Sequence, residues 1–223
     1  MNKFNKYLGL FFITLTAIIG GGTTPFSKLA LEALSPLSFT LLRFLIASVI
    51  LLPGMFVQKQ RFTLREVAKL FVVSLFATAN IMLFIFGLQG TTAITGQMLY
   101  TAVPFIAALF AYVLLHERLT RRKAVGILVG FLGVFILIFL PILNRGPVQI
   151  GGFLGNLMVF GALLSFSAYS VLSKSLQQKY SPYVLTSFFV FTTAIIQFAL
   201  LPFSWQQLSG IFPLSASAWT AIL

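Results

Sequence analysis

The sequence has no aspartate and no cysteine, and it has only three acidic residues and one histidine. Without cysteine, disulfides and thiol chemistry are excluded. The three glutamates, Glu32, Glu66 and Glu117, all fall at predicted helix ends or in loops. Proton relays, sites for cations and embedded metal or catalytic centres use carboxylates or histidines inside the hydrophobic segments. The sequence therefore indicates no enzyme, no metal site, no cofactor and no proton carrier within these 223 residues.

Long hydrophobic segments make up most of the sequence. Apolar residues make up 59% of the chain and charged residues 8%, and the mean hydropathy is +1.02. In soluble domains about 45–50% of the residues are apolar and about 25% are charged. A membrane-spanning helix needs about 20 apolar residues. We predict spans at 7–29, 37–56, 70–88, 93–115, 124–143, 152–172 and 183–203, with 216–223 opening an eighth. Uninterrupted runs favour helices over a barrel, so the predicted fold is an all-α polytopic bundle.

The basic residues predict the orientation. Lys and Arg are kept on the cytoplasmic side of bacterial-type membranes. With the N-terminus inside, the cytoplasmic segments contain Lys3, Lys6, Lys59, Arg61, Arg65, Lys69, Arg118, Arg121, Arg122, Lys123, Lys174 and Lys179. Only Lys28 and Arg145 remain outside, and Arg43 falls within a span. The clusters alternate with hydrophobic spans, so the net charge of +12 does not indicate nucleic-acid binding.

A short polar segment occurs twice, as SKLALEALSP at 27–36 and as SKSLQQKYSP at 173–182. Five predicted helices fill the first copy of the unit, so a second copy enters the membrane from the opposite side. Inverted repeats of this kind are the architecture of many secondary transporters. Chance similarity between two helix exits is the alternative, because Lys side chains snorkel and Ser-Pro starts helices.

The spacing of the repeat also predicts a domain division. We expect a first five-helix repeat at 1–145 and the start of a second, inverted repeat at 150–223. A second copy as long as the first would end near residue 289, because 143 plus the offset of 146 gives that position. We therefore expect a partial chain, with about seven and a half of ten helices present.

A resemblance to a known family rests on IIGGGTTPFSKLALEALSPLSFTLLRFLIASVILLP at 18–53 and PFIAALFAYVLLHERLTRRKAVGILVGFLGVFILI at 104–138. The matching elements are Gly20, Gly21, Gly22, Ser35, Pro36, Arg43, Pro104, Glu117, Arg118, Gly126 and Gly133. Together they resemble the EamA-type domain of the drug/metabolite transporter superfamily. The resemblance implies ten helices in two inverted repeats, a prokaryotic cytoplasmic membrane, and movement of small metabolites, often amino acids, usually outward. One departure is that Ile19 stands where family members often carry tryptophan.

Uncharged polar residues inside the spans are the candidate solute-binding groups, because a hydroxyl or amide in lipid needs a partner or a water-filled cavity. Asn80 lies near the middle of the third span. Gln97, Tyr100, Thr101 and Pro104 follow the spacing of one helical face, which indicates a cavity wall.

A second set of candidates comes from the repeat. Thr23 and Thr24 correspond to Tyr169 and Ser170 in the second copy, and we expect the two pairs to form hydrogen bonds at the two gates. The alternative is that these hydroxyls bond back to the previous helical turn and only bend the helix.

Arg43 is the one charge well inside a predicted span. Its planar guanidinium is suited to hold a substrate carboxylate. The alternatives are that it snorkels outward or pairs with Glu32.

Glycines have two expected roles. Gly20, Gly21, Gly22 and Pro25 weaken the first helix, as a hinge or a broken helix at a transport site would. Gly126, Gly130 and Gly133 share one face of the fifth span and indicate close helix packing. His116 lies at a helix end and is expected at the membrane interface.

The function predicted from these features is transport of small neutral, zwitterionic or weakly anionic metabolites by alternating access, with the lipid bilayer and a small solute as partners. A multidrug-type exporter and a passive channel are the alternatives. The exporter would be expected to use an embedded acidic residue. A seven-helix receptor would place its N-terminus outside, against the charge distribution.

Overall fold

The computed structural model describes residues 3–58, 62–143 and 151–202. Within these ranges the chain forms helices and no strand. The helices are α1 (Lys3–Ala33), α2 (Pro36–Val57), α3 (Leu64–Gly90), α4 (Ala93–Tyr100), α5 (Val103–Leu115), α6 (Arg121–Leu143), α7 (Phe153–Gln177) and α8 (Pro182–Ala199). Seven segments are long and apolar enough to cross a membrane, with α4 and α5 forming one of them together. The predicted multi-pass helical fold is confirmed; the expected eighth span at 216–223 lies outside the described residues.

Local sequence signals start these helices. Ser35 caps α2 by accepting a hydrogen bond from the Ser38 amide (3.2 Å), and Pro36 occupies the first helical position. Ser181 caps α8 in the same way, again followed by proline. Side-chain capping satisfies backbone amides that a helix start leaves free. The repeated Ser-Pro pair is therefore a helix start in both copies.

The fourth span is divided in the middle. α4 ends at Tyr100 and α5 begins at Val103, with Pro104 in the first turn of α5. Proline has no amide hydrogen, so it cannot donate the usual bond to the carbonyl four residues earlier. The span therefore breaks at Thr101 and Ala102, although its hydrophobicity is continuous.

The centre of the bundle is the crossing of α3 and α7, the most extensive helix contact among the described residues. Glycines face each other at one end of this contact, where α3 ends and α7 begins: a Cβ atom built on Gly155 would lie 2.4 Å from the carbonyl carbon of Gly90. The Gly152 amide also donates to the Gly90 carbonyl at 2.7 Å. Small residues let helix backbones approach closely in membrane proteins, and here the two backbones touch directly.

The two copies of the repeated segment lie at opposite ends of the bundle. Lys28 donates to the carbonyls of Leu88 (2.5 Å) and Thr91 (2.8 Å), at the C-terminal end of α3. Lys179, in the second copy, forms an ion pair with Glu66 at the N-terminal end of α3. Since α3 spans the bundle, the segments that contain the two lysines are separated by its full length.

Close packing involves two of the three glycines predicted for it on α6. The ring of Phe105 lies 3.3 Å from a Cβ built on Gly126 and 2.8 Å from one built on Gly130. A Cβ on Gly133 meets nothing within 4 Å. The expectation therefore holds for the half of α6 that packs on α5 and is wrong for Gly133, which is exposed.

Candidate functional site

A cavity of about 280 Å³ lies between α1, α2, α3 and α4. It occupies the half of the bundle in which α1 and α3 end and α2 and α4 begin. The residues that line it are Gly20, Thr23, Thr24, Ser27, Phe39, Thr40, Arg43, Phe44, Asn80, Ile81, Phe84, Ile85, Gln97 and Tyr100. Polar groups and aromatic rings thus line the same partly open cavity.

Most of the residues selected from the sequence meet at this cavity. They are Gly20, Thr23, Thr24, Arg43, Asn80, Gln97 and Tyr100. Gly20 and Gln97 are exposed, whereas Thr24 and Asn80 are buried. Residues from four separate helices therefore line one cavity, although they are up to 80 positions apart in the chain.

Three hydrogen bonds connect the residues of this cavity with each other and with α7. The Gln97 amide donates to the Thr24 hydroxyl, which joins α4 to α1. The Asn80 amide donates to the Tyr100 hydroxyl and to the Ala162 carbonyl, the latter at 2.9 Å. Asn80 thus connects α3 with α4 and α7. Buried polar groups need such partners, and these bonds fix the side chains where the cavity requires them.

Arg43 is half-buried on α2 and lines the cavity. Among the described residues it forms no hydrogen bond and no ion pair. Glu32 is exposed on α1 and does not pair with it. The pairing with Glu32 weighed from the sequence is therefore not formed, and the guanidinium stays available to the cavity.

Three predicted site residues lie away from the cavity. Thr101 is exposed in the break of the fourth span, and its hydroxyl donates to the Met98 carbonyl at 2.6 Å. Thr101 still follows the helical backbone of α4, and its amide donates to the Gln97 carbonyl at 3.2 Å. Its side chain lies with Gln97 on a separate, open groove between α1 and α4. Ser170 donates back to the Phe166 carbonyl at 2.8 Å, which is the alternative considered for it.

Tyr169 belongs to a row of aromatic rings that begins at the cavity. Phe84 and Tyr100 lie 5.0 Å apart between centroids, and Tyr100 and Phe166 lie 6.4 Å apart. Tyr169 follows, 6.5 Å from Phe166 and 6.2 Å from Phe189. Tyr169 therefore packs beneath the cavity, between aromatic neighbours on α7 and α8.

The opposite half of the bundle is filled by apolar side chains. The buried members of this cluster are Leu70, Val73, Leu176, Tyr180, Val184 and Leu185, from α3, α7, α8 and the α7–α8 turn. Two ion pairs lie at the same end, Lys179 with Glu66 and Lys174 with Glu117 (2.6 Å). The hydrogen bond from Lys174 lowers the pKa of Glu117, and the bond to Glu66 raises the pKa of Lys179. Apolar packing and paired charges thus close this end.

Sequence reasoning missed two polar residues of the wall. Ser27 is one turn beyond Thr23 and Thr24 on α1, so helical spacing could have found it. Thr40 lies one turn before Arg43 on α2, and its hydroxyl donates to the Gln197 side-chain carbonyl at 2.9 Å. That contact joins residues 157 positions apart, which no local pattern reveals.

The segment of α1 that was expected to be weakened by glycine and proline forms regular helix in this structure. α1 runs unbroken through Gly20, Gly21, Gly22 and Pro25. A Cβ built on Gly20 or Gly21 meets nothing within 4 Å, so close packing does not require glycine at either position. The broken helix is the fourth span instead.

No group of three or more potential metal ligands occurs in the described ranges 3–58, 62–143 and 151–202.

The family model of the EamA-like transporter family matches residues 7–139. This chain belongs to the EamA-like transporter family. The resemblance stated from the sequence is confirmed, and the homologues of this family member are named transporters.

Several relatives of this EamA-like protein are curated. An uncharacterized transporter of Archaeoglobus fulgidus is 25% identical over 89% of this chain and 69% of its own length. A protein of Chlamydia muridarum named S-adenosylmethionine/S-adenosylhomocysteine transporter is 31% identical over 60% of this chain and 43% of its own length. An uncharacterized transporter of Bacillus subtilis, YetK, is 24% identical, and this chain spans 57% of it. The chain thus spans about two fifths to seven tenths of the relatives that it matches.

A crystal structure of another protein has the same fold. The match has a TM-score of 0.55 at 20% identity and covers 92% of this chain and 72% of the other. The helical arrangement of this EamA-like chain is therefore one that an experimental structure also contains.

Proposed function

We propose that the protein exports small metabolites, of the size and polarity of amino acids, across the cytoplasmic membrane by alternating access. The observation that carries this is the convergence of polar groups from four helices on a cavity of about 280 Å³. Pockets for drug-sized ligands measure about 300–1,000 Å³. A cavity just below that range favours a smaller solute.

The chemistry of the wall favours neutral, zwitterionic or anionic solutes. Thr24, Asn80, Gln97 and Tyr100 offer hydroxyl and amide groups for hydrogen bonds with a solute. None of the described lining residues is acidic, and a cationic solute would need such a counter-charge. This argues against a multidrug-type exporter of cations, which remains the second candidate.

Alternating access requires two halves that can move against each other. In this proposal the halves are the inverted units 1–145 and 150–223, with the N-terminus in the cytoplasm. The positions of the two Ser-Lys segments at opposite ends of α3 support the inversion. The aromatic row and the apolar cluster then form the closed inner barrier. Gly20, Gly21, Gly22 and Pro25 are the proposed hinge.

Relatives named S-adenosylmethionine/S-adenosylhomocysteine transporters give independent support for a small organic solute. The match with this chain covers only 43% and 40% of the length of these relatives.

Counterflow in liposomes tests the proposal. The protein as its natural gene encodes it is reconstituted, and labelled amino acids and organic acids are tested one by one for uptake driven by unlabelled solute inside. We expect saturable counterflow of at least one of them. Gln97→Ala should raise its half-saturation concentration, because the amide on the cavity wall is lost.

Gln178→Ala is the matched control. Gln178 is exposed at the C-terminal end of α7 and does not line the cavity, so its replacement should leave counterflow unchanged. Flux that rises linearly with concentration and shows no exchange would indicate a channel and refute the carrier.

A further inference from the structure

Two polar groups of the cavity have no partner in the part of the chain that the structure describes. One is the Arg43 guanidinium, half-buried on α2. The other is the Ser27 hydroxyl on α1, whose residue is only 1% exposed. A buried polar group without a partner costs free energy. Both residues line the same cavity, from α1 and α2.

Three lysines near helix ends have partners in the described part of the chain. Lys28 is bound by two backbone carbonyls, and Lys174 and Lys179 are each paired with a glutamate. Arg43 has neither kind of partner among the described residues. An anion entering the cavity would supply what the protein does not.

The rest of the wall restricts the kind of anion. Arg43 is the one charged residue among the described residues that line the cavity, so a single negative charge is matched and a phosphate dianion is not. Phe39, Phe44 and Phe84 cover another part of the same wall and offer apolar contact to the remainder of the solute. The guanidinium fork fits the planar geometry of a carboxylate with two parallel hydrogen bonds.

We propose that Arg43 and Ser27 form a carboxylate-binding subsite, and that the solute is a monocarboxylate or zwitterion whose apolar part lies against the phenylalanines. Arg43 donates to the carboxylate through its guanidinium, and the Ser27 hydroxyl donates a further hydrogen bond. This rests on the proposed function in that it takes the cavity as the solute site.

Binding to the purified, full-length protein in detergent at pH 7 tests the subsite by calorimetric titration. The probes are 4-methylpentanoate and its neutral isostere 4-methylpentanamide. We expect the wild type to bind the carboxylate at least about tenfold more tightly, because charge-assisted hydrogen bonds are about twice as strong as neutral ones. Arg43→Gln should remove this preference, and Arg43→Lys should retain part of it. Ser27→Ala should weaken carboxylate binding severalfold.

Arg65→Gln is the matched control. Arg65 is exposed in the first turn of α3, at the opposite end from the cavity, so its loss should not change the preference. Equal binding of both probes by the wild type, no binding of either, or a preference that survives in Arg43→Gln would overturn the subsite. If Arg43→Gln does not yield folded protein, unchanged carboxylate affinity in Arg43→Lys would overturn it, because lysine lacks the fork.

Counterflow separates this inference from the proposed function. Carboxylate preference in binding without counterflow of any solute refutes the carrier and supports the subsite. Counterflow together with equal binding of the acid and the amide refutes the subsite alone.

Discussion

Replacing Gly155 by alanine should destabilise the bundle, because the added methyl group meets backbone. The new Cβ would lie 2.4 Å from the carbonyl carbon of Gly90, 2.5 Å from its oxygen and 2.8 Å from its Cα. Ordinary contacts begin at 3.4 Å, so α3 and α7 must separate by about 1 Å. No side chain can rotate away, since all three atoms belong to the backbone.

The size of this effect follows from two opposing contributions. Overpacking costs about 1–3 kcal/mol, and a contact with rigid backbone belongs at the upper end. Alanine in place of glycine within a helix gains about 0.5–1 kcal/mol. The expected net loss is therefore about 2 kcal/mol, or a fall of about 4–8 °C in melting temperature for a chain of this size.

Gly133→Ala measures by itself the gain from replacing glycine with alanine in a helix. Gly133 is exposed on α6 and a Cβ there meets nothing within 4 Å, so this variant should be more stable by about 0.5–1 kcal/mol. Both variants are heated in detergent, and the folded fraction is measured by size-exclusion chromatography. A melting temperature of Gly155→Ala at or above that of the wild type, or shifts of both variants in the same direction, would contradict the backbone clash at Gly90.

Three further predictions concern caps, the cavity wall and charge. Ser35→Ala and Ser181→Ala should each lower the unfolding free energy by about 1 kcal/mol, and chemical denaturation of the double variant should give the sum because the caps are far apart. Asn80→Ala leaves two partners on neighbouring helices without their donor and should cost about 1–3 kcal/mol, measured by the same melting assay; an unchanged melting temperature would contradict it. Because the pKa of Glu117 is lowered in the folded protein, its ion pair with Lys174 stabilises the fold fully above the pKa of a free glutamate, about 4.3. That contribution is lost as pH falls further through the lowered pKa, so melting curves of Glu117→Gln and the wild type should differ slightly at pH 7 and coincide in acid.

The elements of the fold could be predicted because their signals are local. Hydropathy defines the seven spans, and the Ser-Pro pairs at Ser35 and Ser181 start their helices as the sequence indicates. The break in the fourth span was not predicted, because hydrophobicity continues through it. Thr101 keeps its helical spacing to Gln97, but both are exposed and share a groove on the outer side of α4, which Tyr100 does not line.

The cavity could be predicted only in part. Asn80, Gln97 and Tyr100 stand out as polar residues within apolar spans, and all three reach it. Tyr169 and Ser170 were assigned by their register in the repeat, yet packing against Phe166 and a bond within α7 determine their positions. Contacts across the bundle depend on how the helices cross, which a single sequence does not specify.

The glycine contact between α3 and α7 lies at one end of the bundle, where Gly90 ends α3 and Gly155 stands in the first turn of α7. At Gly90 and Gly155 the contact is made by backbone atoms alone, whereas one turn earlier on α3, at Gly87, the side chains of Met158 and Val159 pack against the helix. The same contact leaves no room for the two helices to come closer. The spacing of the two helices at this end is thus set by main-chain atoms, which, unlike side chains, have no alternative rotamer to adopt.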